Sequence, residues 1–249
     1  HSFIIMQLLF YRARNQNHSL RKNYRNGNTQ KKSNSRSSDM MYFYFVRHGE
    51  TLSNIWHTLQ GWSDTPLTEK GIAQGKALGR GLANTPFEKI YSSTSERAYD
   101  TACYIRGKRN MEITMCRGLK EMNFGTFETK ANTFAGCETY LQRIQFPWKA
   151  AGGENLEDVC QRIHQTMRQI LEENKGGHGN ILCVSHGISI LAALHTADKE
   201  VYEECLRNEV RFGNCSVTII GYHKGRYTVE CINSTEYVTK GGYYEKDYQ

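Results

Sequence analysis

The sequence predicts one α/β domain: three layers, helix on sheet on helix, around a mostly parallel sheet. Three observations predict it. Short apolar runs rich in β-branched and aromatic residues alternate with helical stretches from residue 41 onward. Two of those runs, Tyr42–Val46 and Asn180–Val184, end in a polar segment carrying histidine: Arg47-His48-Gly49-Glu50 and Ser185-His186-Gly187. The longest amphipathic helix, 154–174, separates such runs, as a crossover between parallel strands requires.

The elements follow in order. Strand 42–46 opens the domain, and after a polar loop Thr68 is a good N-cap for a helix over 69–83. Glycines at 71, 75, 79 and 81 weaken that helix, so close packing against the sheet is expected to explain them. Residues 88–92 read as a second strand, 95–105 as a helix and 112–115 as a third strand. Residues 126–150 are aromatic and weakly helical and suit a lid. In helix 154–174, Leu156, Val159, Ile163, Met167, Ile170 and Leu171 form one apolar stripe at spacings of three and four. Strand 180–185, a helix at 187–195 and a hairpin of 215–220 with 225–231 complete the chain, so one pair of strands is antiparallel.

Charge is unevenly placed. The 249 residues carry a net charge of +7, and residues 1–40 hold eight Lys or Arg against the single acid Asp39, so residues 41–249 are neutral. A neutral body lacks the basic face of a nucleic-acid binder. The Asn-, Ser- and Arg-rich leader 1–40 is expected to be disordered. Two readings of it stand: non-native upstream sequence, suggested by His1 and the Met40-Met41 pair, or a basic arm touching RNA or an acidic membrane. No apolar run approaches the ~18 residues of a membrane span. Eight scattered cysteines without a Cys-x-x-Cys pair suit reduced, buried thiols and a cytoplasmic protein, not a zinc site.

Parallel strands open their functional crevice at their carboxyl ends. There the sequence collects Arg47 and His48, then Ser92-Ser93 with Arg97 in the first turn of the next helix, then His186. Arginine grips phosphate oxygens through paired planar donors and keeps its charge. A neutral imidazole with one nitrogen's proton held by a carbonyl leaves the other lone pair free to attack phosphorus. Glu121 is the candidate proton donor, with Glu50, Glu128 and Glu154 as alternatives near the same loops. The cations already provide an electrostatic clamp, so neither metal nor cofactor is expected. Each residue also has an ordinary reading: His186 as a core histidine, Arg97 paired with Glu96 or Asp100, and His57, Trp62, Phe124, Phe127, Tyr140 and Trp148 as packing rather than pocket wall.

These residues in this order resemble the histidine phosphatase superfamily, the phosphoglycerate mutase-like fold, in its broad-specificity phosphatase branch. The likeness spans 41–240. It rests on Arg47-His48-Gly49-Glu50-Thr51 with Asn54, Gln60-Gly61-Trp62, Tyr91-Ser92-Ser93 with Arg97, Glu121 with Phe124-Gly125, Gly153-Glu154 and Ser185-His186-Gly187. The resemblance implies His48 as nucleophile, Glu121 as acid, and Arg47, Asn54, Gln60, Gly61, Arg97, His186 and Gly187 as the phosphate site. It implies a phosphomonoester hydrolase working through phosphohistidine on a small metabolite, and a family that often forms dimers.

Mutases of this family resemble one another in an arginine after the catalytic glutamate, a tyrosine two positions later, and an asparagine after the second His-Gly. Here those positions hold Met122, Phe124 and Ile188. Hydrolysis in a less polar or less demanding pocket is therefore expected over mutase activity, and a silent phosphate-binding module ranks third because His48 and Glu121 are both present.

Overall fold

The computed structural model describes residues 40–175 and 178–245. The leader and both of its readings lie outside the described residues, apart from Met40. Strand β1 (Met41–Arg47) and the short helix α1 (Leu52–Ile55) precede α2 (Glu69–Gly81), β2 (Phe87–Ser93), α3 (Glu96–Arg106) and β3 (Ile113–Cys116). Then come α4 (Tyr140–Gln145), α5 (Leu156–Glu173), β4 (Gly179–Ser185), α6 (Gly187–Ala197), α7 (Lys199–Arg207), β5 (Val217–His223), β6 (Arg226–Ser234) and α8 (Glu236–Lys240).

The six strands form one sheet in the order β3-β2-β4-β1-β5-β6. The first four are parallel, β5 runs antiparallel to β1, and β6 returns as its hairpin partner. Alternation along β1 divides the interior in two. Phe43 and Phe45 face a core with Leu119, Trp148, Ile163 and Ile190, beneath α5 and α6. Val46 faces the other core, with Leu78, Ile90, Ala102 and Val217, beneath α2 and α3. The stripe read on 154–174 is the buried face of α5, from Leu156 and Val159 through Ile163 and Met167 to Ile170.

Register decides the function of this sheet. Arg47 pairs with Ser185 across β1 and β4, so the residues that follow, His48 and His186, leave neighbouring strands at the same level.

The structure departs from the sequence reading in some places and fills it in at others. The α2 glycines pack against loops and helices, not the sheet: a Cβ on Gly79 would stand 2.6 Å from the Tyr104 carbonyl oxygen of α3, and one on Gly81 would meet the Tyr237 carbonyl of α8. Helix α7 was not anticipated, because residues 199–207 are mostly charged and bury only Val201, Tyr202 and Cys205. Residues 126–150 resolve into short pieces around the edge-on and tilted rings of Phe127, Phe134, Phe146 and Trp148.

Candidate active site

A cavity of about 390 Å³ opens at the carboxyl ends of β1 and β4. Arg47, His48, Asn54, Gln60, Glu121 and Gly187, all singled out from the sequence, line it. Its size suits a phosphoryl group with a small organic body.

His48 is buried and its Nδ1 lies 2.7 Å from the Gly49 carbonyl oxygen. A carbonyl only accepts, so Nδ1 carries the proton and Nε2 keeps its lone pair. Burial, then the Arg97 and Arg47 charges, hold the His48 pKa well below the ordinary histidine value, so the ring is neutral. The neighbouring imidazole, His186, stands with its ring centroid 5.2 Å away. Burial lowers its pKa strongly as well, with Arg97 the next cause.

Glu121 sits against the N-terminus of α6. Its Oε1 accepts from the backbone N–H groups of Met122 (3.0 Å) and Ser189 (3.1 Å), and from the Ser189 hydroxyl at 3.3 Å. Its Oε2 accepts from the Ile188 N–H at 3.1 Å. Four donors and a helix N-terminus fix this carboxylate at the cavity wall. Glu128 and Glu154, the alternatives, do other work. Glu128 accepts from the N–H groups of Gly61, Trp62, Ser63 and Phe124 and from the Ser63 hydroxyl. Glu154 pairs with Arg162 at 2.9 Å and accepts from the Asn123 N–H. Glu50 does line the cavity, yet its carboxylate is tied to the Thr68 hydroxyl and to Lys70.

The cations divide into two kinds. Arg47 gives Nη1 to the Phe212 carbonyl at 2.6 Å and lines the cavity. Arg97 is wholly buried behind that wall, with Nη1 on Ser63 O and Asp64 Oδ1 and Nη2 on Gly61 O and His186 Nδ1. Only its Nε–H lacks a partner. Arg97 therefore pairs with Asp64, across the chain, and not with Glu96 or Asp100 on its own helix.

Residues 43–235 match the model of the histidine phosphatase superfamily (branch 1). The chain belongs to this superfamily. It is 29% identical over 194 residues to a probable phosphoglycerate mutase GpmB of Salmonella choleraesuis, covering 76% of this chain and 88% of that protein. Among solved structures it is similar to a phosphoglycerate mutase from Bacillus anthracis (32% identity, TM-score 0.72, 82% of this chain and 97% of that one). It is also similar to a phosphoserine phosphatase from Entamoeba histolytica in complex with 3-phosphoglyceric acid (26% identity, TM-score 0.67, 80% and 99%).

Within this histidine phosphatase fold, three sequence-predicted phosphate residues are placed differently from the expectation. Gly61 donates its N–H to Glu128 and gives its carbonyl to Arg97, so it shapes the site from behind. The Gln60 side chain lines the cavity but is bound to Thr51 and Thr65. His186 has both ring nitrogens engaged, by Arg97 and by the Ser93 hydroxyl at 2.8 Å. Asn54 is better disposed: its oxygen accepts from Thr51 N and Asn214 Nδ2, which leaves its amide N–H groups for an anion. Gly187 opens α6 at the wall.

Sequence reasoning gave no role to Ser93 or Asp64 and missed Arg162, Asn214, Arg143 and Arg211. Arg162 donates to the carbonyls of Gly118, Lys120 and Glu121, fixing the strand of chain that carries the carboxylate. A polar residue next to an apolar stripe was its only signal.

The pocket is not the less polar one expected. Met122 is fully buried in the core and offers the cavity nothing, but Arg143, Arg211 and Asn132 bring polar groups from the lid and from the approach to β5. Tyr140 and Phe124 line the wall, while Trp148 is buried packing. All eight cysteines are free thiols. No helix among the described residues is long and apolar enough to cross a membrane.

Proposed function

We propose that this histidine phosphatase hydrolyses phosphomonoesters of small metabolites through a phosphohistidine on His48. The observation that carries the reading is the His48 ring: neutral, with Nδ1–H held by Gly49 O and Nε2 bare on the cavity it shares with Arg47 and Glu121. Nε2 attacks phosphorus, the N–P bond forms, and the bond from phosphorus to the ester oxygen breaks. That oxygen takes the bonding pair and a proton from Glu121, whose Oε2 carries one hydrogen bond and has a lone pair to spare. Water then attacks the phosphorus, Glu121 removes its proton, and the N–P pair returns to Nε2, releasing inorganic phosphate.

Arg47, the Asn54 amide and the Gly187 N–H are the donors we assign to the phosphoryl oxygens, with buried Arg97 adding its charge from behind the wall. His186 aims Arg97 through its Nδ1.

Met122 in the core, where a mutase carries arginine, supports water over a second substrate as acceptor. The relatives include both kinds, phosphoglycerate mutases and a phosphoserine phosphatase, so the mutase reading stands as the alternative. Incubating the protein with p-nitrophenyl phosphate and with 3-phosphoglycerate separates the two. Phosphate release from both supports the hydrolase, whereas positional isomerisation without release overturns it. His48→Ala is expected to abolish turnover and the trapping of acid-labile phosphate.

A further inference from the structure

Glu121 is carried by a stretch with little regular structure: residues 120–124 belong to neither helix nor strand. Its backbone polar groups must therefore find partners outside any ladder. Trp62 Nε1 donates to the Glu121 carbonyl at 3.0 Å, and Ser189 Oγ to the Lys120 carbonyl at 2.6 Å. Arg162 of α5 takes the largest share. Its Nη1 donates to the carbonyls of Gly118 and Lys120, both at 2.8 Å, and its Nη2 to that of Glu121 at 3.3 Å. The other edge of the same guanidinium, Nε and Nη2, lies side-on against Glu154, with 2.9 Å to each oxygen. Glu154 then returns to the acid's own segment. Its Oε2 accepts from the Asn123 N–H at 3.0 Å, and its N–H donates to the Asn123 carbonyl at 2.9 Å. Gly153 permits that approach, because a Cβ there would stand 2.3 Å from the Asn123 oxygen. The Gly153-Glu154 motif thus ends on the backbone of the acid, not on the cavity.

We propose that Arg162, held in its rotamer by Glu154, is a positioning residue for the general acid: it fixes residues 118–123 so that the Glu121 carboxylate meets the leaving-group oxygen. This rests on Glu121 being the proton donor. Glu121 is attached at two points, its carboxylate to the N-terminus of α6 and its main chain to α5. Only a planar fork can serve several carbonyls and a carboxylate at once, so the charge of a lysine is not a substitute. Proton transfer needs hydrogen-bond reach, and a displacement of about 1 Å costs on the order of a hundredfold in rate.

The test is kcat/KM of the full chain and of R162Q, R162K and E154Q, with ethyl phosphate and with p-nitrophenyl phosphate. This parameter counts steps only through cleavage of the ester bond, so the later activation of water by Glu121 does not enter. The ratio of the two substrates on one preparation is also independent of the fraction folded, which separates positioning from stability. R162Q is expected to lower the ethyl-to-nitrophenyl ratio about tenfold or more, because only the alkyl leaving group needs the proton. R162K should lower it less and E154Q least, since the Arg162 contacts to the carbonyls remain in the latter. A wild-type ratio in R162Q, with both substrates slowed alike, overturns the proposal; if R162Q does not fold, the ratio in R162K decides in the same way. E121Q is measured alongside. A lowered ratio in E121Q with a wild-type ratio in the Arg162 variants removes the positioning role and keeps the acid. A wild-type ratio in E121Q itself removes the acid assignment on which the proposal stands.

Discussion

Arg97 Nη2 lies 3.0 Å from His186 Nδ1, and this one distance assigns the protons of the second histidine. Arginine only donates, so Nδ1 accepts, the ring proton sits on Nε2, and Nε2 donates to the Ser93 hydroxyl at 2.8 Å. Ser93 closes β2, Arg97 lies in the first turn of α3, and His186 follows β4, so the contact locks three carboxyl-end segments together.

Ser93→Ala leaves a buried Nε2–H without a partner. It is expected to cost about 1–3 kcal/mol of stability. It should also slow turnover, because the ring no longer holds Arg97 in place. Urea unfolding midpoints and kcat/KM measured on the same preparation check both effects.

Glu121→Gln and Glu128→Ala should fail in different ways. Replacing Glu121 removes a transferable proton, so alkyl phosphates slow far more than p-nitrophenyl phosphate, whose leaving group needs no acid. Equal slowing would assign the proton to another group. Glu128→Ala orphans five donors from the 61–63 loop and Phe124. It is expected to lower stability by a few kcal/mol and to weaken both substrates alike.

The pH profile follows from the His48 environment. Its pKa lies well below 6.5, driven by burial and by Arg97 and Arg47, and the attacking form is neutral. The acid limb of kcat/KM is therefore expected below the usual histidine range, with phosphohistidine still forming under pH 6. An acid-limb inflection above 6.5, kept in Glu121→Gln, would contradict the assignment.

Stability carries a related signature. His48 and His186 both titrate lower folded than unfolded, so their contribution is fully present above about 6.5 and is lost as pH falls toward their folded values. The melting temperature should fall over that interval, and adding vanadate or phosphate should raise it at any one pH. A flat melting temperature between pH 7 and 5 would show that the rings are solvated.

Much of this was legible in the chain, for a local reason. Strand ends announce themselves where Phe45-Val46 gives way to Arg47-His48, and where Cys183-Val184 gives way to Ser185-His186. Both histidines, Arg47 and Arg97 converge in one region because each lies where a parallel strand ends or the following helix begins, and Glu121 joins them from the loop beyond β3. Strand order was not legible: nothing in 180–185 says that it inserts between β1 and β2. Helix α7 was hidden because a surface helix with three buried side chains reads as a polar segment. Gly61 and Gln60 look like anion ligands by position, and only the fold reveals that Glu128, Arg97, Thr51 and Thr65 already occupy them. Arg143 and Arg211 left no trace, because a lone arginine in a segment without period carries no address.

Antiparallel β5 beside β1 brings the segment before it over the first histidine, where Asn214 Nδ2 donates to the His48 carbonyl and Phe212 accepts from Arg47. The reacting atoms are thus anchored to the sheet, while the groups facing the rest of a substrate hang on 129–146 and 211–214. Chimeras that exchange 129–146 with a homologue's should trade substrate preference and leave the chemistry intact, whereas 211–214 must keep its grip on Arg47 and His48, so new specificities in this lineage can arise by swapping one side of the bowl's rim without touching its base.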